Sequence, residues 1–360
     1  MPRSPSRFFD KFLTSEKALD RRFREGSRGL AWRGGDPARW IARARARLAE
    51  HLGLHRFKKC PLCARRVGST RLEGGLIREE WRIQTEGDVW MPFSLLLPPR
   101  GGGRLPAVIA PHGHGSAGKW MTAGRRDVPE MHAIFKRYRG DYGLQLARRG
   151  FAVACPDARG FGERREPAVQ GDRENPLLFR SSSCHHLTLA GAPLGLTVQG
   201  MWTWDLMRLL DFLTAHPAVD HARLGCAGLS GGGLQTLDLA ALDPRVKAAV
   251  VSGYFYGARE SLLILNSNCM CNMVPGLWED FDMGDLGAMV APRGLFIETG
   301  DRDSLNGRGG VANVRSQVRI ARRVYSALGA GRNLAHHVFH GEHRWDGARA
   351  IPWLCRMLGA

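Results

Sequence analysis

The chain has 360 residues, 44% of them hydrophobic, and its 52 Lys and Arg against 34 Asp and Glu give a formal net charge of +18. That is enough apolar sequence for a large core and one α/β domain of roughly 300 residues. No run of roughly 18 apolar residues occurs, so no membrane span is expected, and without a charged start leading into an apolar stretch the chain is read as cytoplasmic.

Residues 1–66 hold 18 Lys and Arg against 6 Asp and Glu and read as a basic, largely helical N-terminal extension. Runs such as Arg21-Arg22-Phe23-Arg24 and Arg43-Ala44-Arg45-Ala46-Arg47 invite a polyanion-binding reading. Trp40 to Leu54, however, has the pattern of an amphipathic helix with its arginines on a solvated face, so nucleic acid is not an expected partner. Cys60-Pro61-Leu62-Cys63 has the shape of a zinc knuckle that His51 and His55 could complete. A second CxxC is missing, and a reduced pair in a surface loop is the plainer reading.

From residue 67 to 360 the pattern is that of one catalytic α/β domain. Leu76 to Gln84 and Val89 to Leu97 predict an antiparallel pair. Apolar strands then recur at Leu105 to Ala110, Phe151 to Cys155, Leu224 to Gly228, Ala248 to Ser252, Leu295 to Glu298 and Ala335 to Phe339. Helical patterns separate most of them, which predicts a mostly parallel eight-stranded sheet covered on both faces. Right-handed crossovers would bring the strand C-termini to one edge.

The chemistry-bearing residues follow those strand ends in chain order. The first turn is Pro111-His112-Gly113-His114-Gly115, whose His114 amide is a candidate oxyanion donor. A zinc reading of His112 and His114 lacks a neighbouring cysteine or carboxylate cluster, and no metal is expected. Next, Gly228-Leu229-Ser230-Gly231-Gly232 is a GxSxG pattern between an apolar run and a helix start. A strand turning sharply into a helix there would expose the Ser230 hydroxyl and aim the Gly231 amide at an oxyanion. After Leu295 to Glu298 comes Gly300-Asp301-Arg302-Asp303. Asp303 is the expected acid, lying far enough past the strand to curl back, with Asp301 as runner-up and Glu298 still inside the strand. Among four late histidines, His336 and His337 sit in a strand pattern and His340 at its end. His343, in the following loop, is the expected base.

These pieces in this order resemble the α/β-hydrolases over about residues 70 to 360. Pro156-Asp157-Ala158-Arg159-Gly160-Phe161-Gly162-Glu163 and Trp204-Asp205-Leu206-Met207-Arg208-Leu209-Leu210-Asp211-Phe212-Leu213 are similar to the branch containing acetyl xylan esterases and dienelactone hydrolases. The resemblance implies ester hydrolysis through an acyl-enzyme, without a cofactor, on small-molecule or saccharide esters such as acetylated sugars. A serine at the elbow, where dienelactone hydrolases carry cysteine, brings it closer to the esterases. A prolyl oligopeptidase-type peptidase and a non-catalytic binding protein are the alternatives. Nothing in the sequence sets an oligomeric state.

Two intervals, about Phe161 to Leu196 and Tyr254 to Ala291, are long enough to shape a pocket at the active edge. Trp278 and Met270 are the candidate substrate-binding residues there, and Trp202 and Trp345 are further aromatic candidates for stacking. Cys269-Met270-Cys271 suits metal binding, a strained bridge or plain packing, of which packing is preferred. The other cysteines, Cys155, Cys184, Cys226 and Cys355, are scattered and several fall in strands or helices.

Overall fold

The computed structural model describes residues 14–99, 102–167, 182–264 and 268–360. Residues 168–181 and 265–267, within the two long intervals, lie outside the described residues. One twisted sheet organises the chain. Its strands are β1 (Arg65–Arg71), β2 (Ile77–Glu86), β3 (Val89–Leu97), β4 (Leu105–Ile109), β5 (Ala152–Pro156), β6 (Val219–Leu229), β7 (Val246–Ser252), β8 (Gly294–Gly300) and β9 (Leu334–Phe339), in the spatial order β1-β2-β3-β5-β4-β6-β7-β8-β9. From β5 to β9 all neighbours are parallel, while β1, β2 and β3 pair antiparallel and β3 joins β5 antiparallel.

Among the described residues the sheet therefore has nine strands rather than the eight expected. The additional one, β1, is almost wholly exposed. Its Arg-Arg-Val-Gly-Ser-Thr-Arg sequence carries no apolar alternation, because an edge strand with two wet faces needs none. Elsewhere the alternation sorts side chains cleanly to two faces. Ala107, Ile109, Ala249 and Val251 join the core on one side. Val108, Val153, Ala227 and Val250 join the core on the other, under Tyr142, Trp353 and Leu354.

The chain visits β4, steps to β5 on one side, and returns to β6 on the other. At that reversal the loops leaving β4 and β6 diverge beside each other, which opens a crevice at the strand C-termini.

The basic segment is built into this body. Asp36 caps the helix Pro37–His51 by accepting from the amides of Ala38 and Arg39, and the helix buries Trp40, Ile41, Ala44 and Leu48. Arg45, expected on a solvated face, instead donates to the carbonyls of Ala241 and Met289, where the helices Gly231–Leu242 and Met283–Ala288 end. A cation there meets unpaired carbonyls and the negative end of the helix dipole. Arg28 makes a two-pronged bond to Asp285, and Arg47 reaches Asp280. Arg39 and Arg43 do face solvent.

Two ionic clusters, each centred on a buried aspartate, brace the loop after β5. Arg159 grips Asp205 through two bonds of 3.0 and 2.9 Å and Arg164 adds a third at 2.7 Å. Burial opposes ionisation of Asp205, yet the two guanidiniums hold it at about 2. Lys119, Asp157 and Glu163 form the second cluster, and Asp157 also caps the Lys119 and Glu163 amides. The two segments that resemble the esterase branch thus meet as one clamp.

Asp238, on the helix Gly231–Leu242, is buried, and its Oδ2 has no hydrogen-bond partner among the described residues. Burial pushes its carboxyl up to about 8, so the folded chain retains a proton that the unfolded chain releases near pH 4. Stability is lost as pH rises from about 4 to about 8, by up to roughly 1.4 kcal/mol per pH unit. Asp238→Asn is accordingly expected to raise Tm relative to the parent at pH 8 far more than at pH 5. A thermal melt showing equal differences at both pH values would refute this.

Candidate active site

Ser230 joins β6 to the helix Gly231–Leu242 at φ 59° and ψ −121°, a backbone conformation that costs a non-glycine residue about 1–3 kcal/mol. Its surroundings hold it there. The Ser230 amide donates to the Ser252 carbonyl at 2.9 Å, and its carbonyl accepts from Leu234. The loop after β4 presses against the elbow so closely that a Cβ on Gly232 would lie 2.1 Å from the Pro111 oxygen. One on Gly113 would lie 2.7 Å from the Leu229 oxygen. Only glycine permits this approach.

Asp303 and His343 meet across the turns that follow β8 and β9. Asp303 Oδ2 lies 2.6 Å from His343 Nδ1, and Asp303 Oδ1 accepts from the Leu305 amide. This places the imidazole proton on Nδ1 and leaves Nε2 as an acceptor. Asp303 is buried, and His343 shares a cleft of about 430 Å³ with Ser230, Gly231 and His114. Tyr138 stands edge-on to His343 with ring centroids 6.4 Å apart, and Tyr254 and Tyr256 complete much of the wall.

The competing residues have other partners. Asp301 and His340 bind each other at 3.0 Å on the surface, so the runner-up acid is paired outside the cleft. His336 meets Thr299 Oγ1 and is driven down to about 4, chiefly by burial. His112 is buried, accepts the Ala158 amide on Nε2 and faces the Gly113 carbonyl with Nδ1, which makes it a neutral brace of the β4 loop. Burial also lowers its basicity.

Neither candidate substrate-binding residue is among the described residues that line the cleft of Ser230. The turn Met270–Asn272 directs Cys271 and Asn272 into the protein, and Met270 lines a separate hollow with Met273, Pro275 and Leu189. Trp278 belongs to the short helix Leu277–Asp280 and packs against the main core, where its carbonyl accepts from Arg28. Trp345 is buried and stacked on Tyr142, with centroids 4.7 Å apart, and Trp202 is buried with its Nε1 on the Arg159 carbonyl. The Cys2His2 set is not assembled either. His51 is held by Asp280 and Pro275, Cys60 points at the Gln84 carbonyl, and Cys63 is exposed.

Sequence reasoning passed over Glu298. This buried carboxylate in β8 accepts from Ser252 Oγ and from the amides of Asp346 and Gly347, at 2.9, 3.1 and 2.8 Å. It therefore ties the loop that follows His343 to the strand ends. Burial raises it to about 7, against the pull of those three donors. An isolated acid inside an otherwise apolar strand is the signal that marked it.

Comparison with known proteins places this geometry. A model of the Abhydrolase family matches residues 36–321. "Putative hydrolase YtaP" of Bacillus subtilis (strain 168) is 26% identical over 260 residues, covering 70% of this chain and 79% of its own. A crystal structure from Bacteroides fragilis described as a "putative acetyl xylan esterase" superposes with a TM-score of 0.80 at 18% identity, covering 97% of this chain and 96% of that one. A glucuronoyl esterase from Solibacter usitatus gives a TM-score of 0.64 at 17% identity, over 91% of this chain and 96% of that one. At such identities the two structures speak for the fold, whereas the family model spans most of the chain. The chain belongs to the Abhydrolase family and has the α/β-hydrolase fold.

Proposed function

We propose that the chain is a serine carboxylic-ester hydrolase that works through an acyl-enzyme on short acyl esters, acetylated sugars among them. One observation carries this reading: Ser230, in its strained turn, lines the same cleft as His343, whose Nδ1 is 2.6 Å from Asp303. In the proposed route His343 Nε2 takes the Ser230 proton as Oγ attacks the ester carbonyl. Asp303 holds the tautomer and offsets the charge that develops on the imidazole. The amides of Gly231 and His114 receive the oxyanion, and His343 returns the proton to the leaving alcohol. Water then repeats the attack on the acyl-enzyme.

The cleft also bears on the substrate. Its described lining residues include Asn268, Asn272 and three tyrosines but no Lys or Arg. Such a wall suits an uncharged acyl group and a hydroxylated alcohol better than a carboxylate. The names of the structural relatives, an acetyl xylan esterase and a glucuronoyl esterase, support a saccharide ester in the same direction.

Ser230→Ala is expected to fold normally and lose at least about three orders of magnitude in turnover of a short acyl ester. Labelling by a fluorophosphonate should mark Ser230 in the parent and vanish in the variant, and comparable turnover by the variant would overturn the assignment. Asp303→Asn should cost about 10⁴ in kcat by permitting the wrong tautomer. Glu298→Gln turns an amide N–H toward donors that Glu298 accepts. We expect kcat to fall about tenfold with KM little changed, and an unaltered kcat would remove Glu298 from the positioning of His343.

A further inference from the structure

We propose that His114, Cys184, Cys269 and Cys271 form a structural zinc site, one wall of which is the oxyanion loop. The four ligand atoms, one nitrogen and three sulfurs, all lie within 4.8 Å of one another. His114 Nε2 is 3.2 Å from Cys271 Sγ. A tetrahedral zinc with bonds of about 2.3 Å to sulfur and about 2.0–2.1 Å to nitrogen separates its donors by about 3.5–3.8 Å. The cluster brackets that spacing. No sulfur is spent elsewhere, since all three cysteines are free thiols, and Cys184 and Cys271 are buried.

Polar groups converge on the sulfurs. Asn272 directs Nδ2 at Cys271 Sγ from 3.7 Å while also holding the Cys269 carbonyl, and Tyr254 fixes the amide by donating to its oxygen. Cys184 opens the helix Cys184–Gly191 and is buried there. As the ion binds, three S–H protons pass to solvent and a Cys3His complex of net charge −1 remains. Four protein ligands fill the tetrahedron, so the ion would act as a clip and not as a Lewis acid. It would join three pieces far apart in sequence: the loop after β4, the start of the helix at Cys184, and the turn at Cys269.

The location gives the clip a consequence. The His114 ring faces the sulfurs with Nε2, while its Nδ1 lies so near the elbow that a Cβ on Gly231 would be 2.7 Å away. Fixing this imidazole would fix the loop whose amide is assigned to the oxyanion, which is the only part of the inference that rests on the esterase reading.

The test is elemental analysis of the full-length chain, purified under reducing conditions and passed through metal-free buffer. About one zinc per chain is expected. Cys184→Ser and Cys271→Ser should each fall below about a tenth of that, whereas Cys63→Ser and Cys355→Ser should retain it. Should a site variant fail to fold, titrating the parent with an organomercurial supplies the same reading, because zinc should be released as three thiols are modified. Cobalt exchanged into the parent should show thiolate charge-transfer bands with the intense visible bands of a tetrahedral ion. A parent that neither carries nor takes up zinc, a zinc content indifferent to Cys184 and Cys271, or a disulfide among the three cysteines in the reduced protein would each overturn the proposal. None of these measurements uses an ester, so their failure is distinguishable from failure of the esterase reading.

Discussion

The left-handed backbone of Ser230 is the constraint to which the rest of the sheet edge is fitted. A turn that strained persists only where its neighbours leave no relaxed alternative. They do so here with backbone: the Ser252 carbonyl takes the serine amide, and the β4 loop crosses with glycine at each point of contact. The Tyr142 hydroxyl, buried beneath the elbow, donates to the Pro111 carbonyl and receives the Leu229 amide at 3.5 Å, joining the two loops from below. The order of strands contributes, because the chain reverses direction across the sheet between β4 and β6, the two strands whose loops meet here.

Polar side chains carry the bracing outward. Buried ion pairs are weak stabilisers on average, since desolvation offsets their attraction, but removing one partner is costly because it strands the other. Asp205 illustrates this, with two arginines spending their donors on it while the Trp202 indole holds the carbonyl of one of them. Phe161, from the same loop, packs edge-on against the His112 and His114 rings at 5.0 and 5.2 Å. A continuous path of contacts therefore runs from a helix on the flank of the sheet to the ring beside Ser230. The arginine-rich N-terminal segment adds to the bracing through Arg28 and Arg45, so part of the chain's positive charge serves internal carboxylates and helix ends.

What the sequence made legible follows from how local each signal is. The apolar strands and the GxSxG turn are written in contiguous residues, and both were readable from period and spacing. The strand β1 was not, because hydrophobic alternation reports burial and β1 has almost none. Trp278 and Met270 were read as pocket residues from their loop alone. A turn reverses the direction of side chains within a residue or two, and composition does not record which way each one points. His114 and Cys271 stand 157 positions apart yet 3.2 Å from each other. A search for ligands among sequence neighbours of His112 and His114 could not reach Cys184, Cys269 or Cys271, since the fold alone brings them together.

The two carboxylates of the β8 region differ in what their positions in the chain allow, although both are buried. Glu298 lies within the strand, where its oxygens are committed to Ser252 and to two amides beyond His343, and burial leaves it near 7. It therefore changes protonation in the range where a partner of histidine must stay charged. Asp303 lies past the strand end, where the chain is free to turn, and there one oxygen is anchored by the Leu305 amide while the other meets the imidazole. The amide bond fixes the geometry of the carboxylate. The strand carboxylate is thus committed to Ser252 and to amides beyond His343, whereas the turn after β8 aims the Asp303 carboxylate at the imidazole.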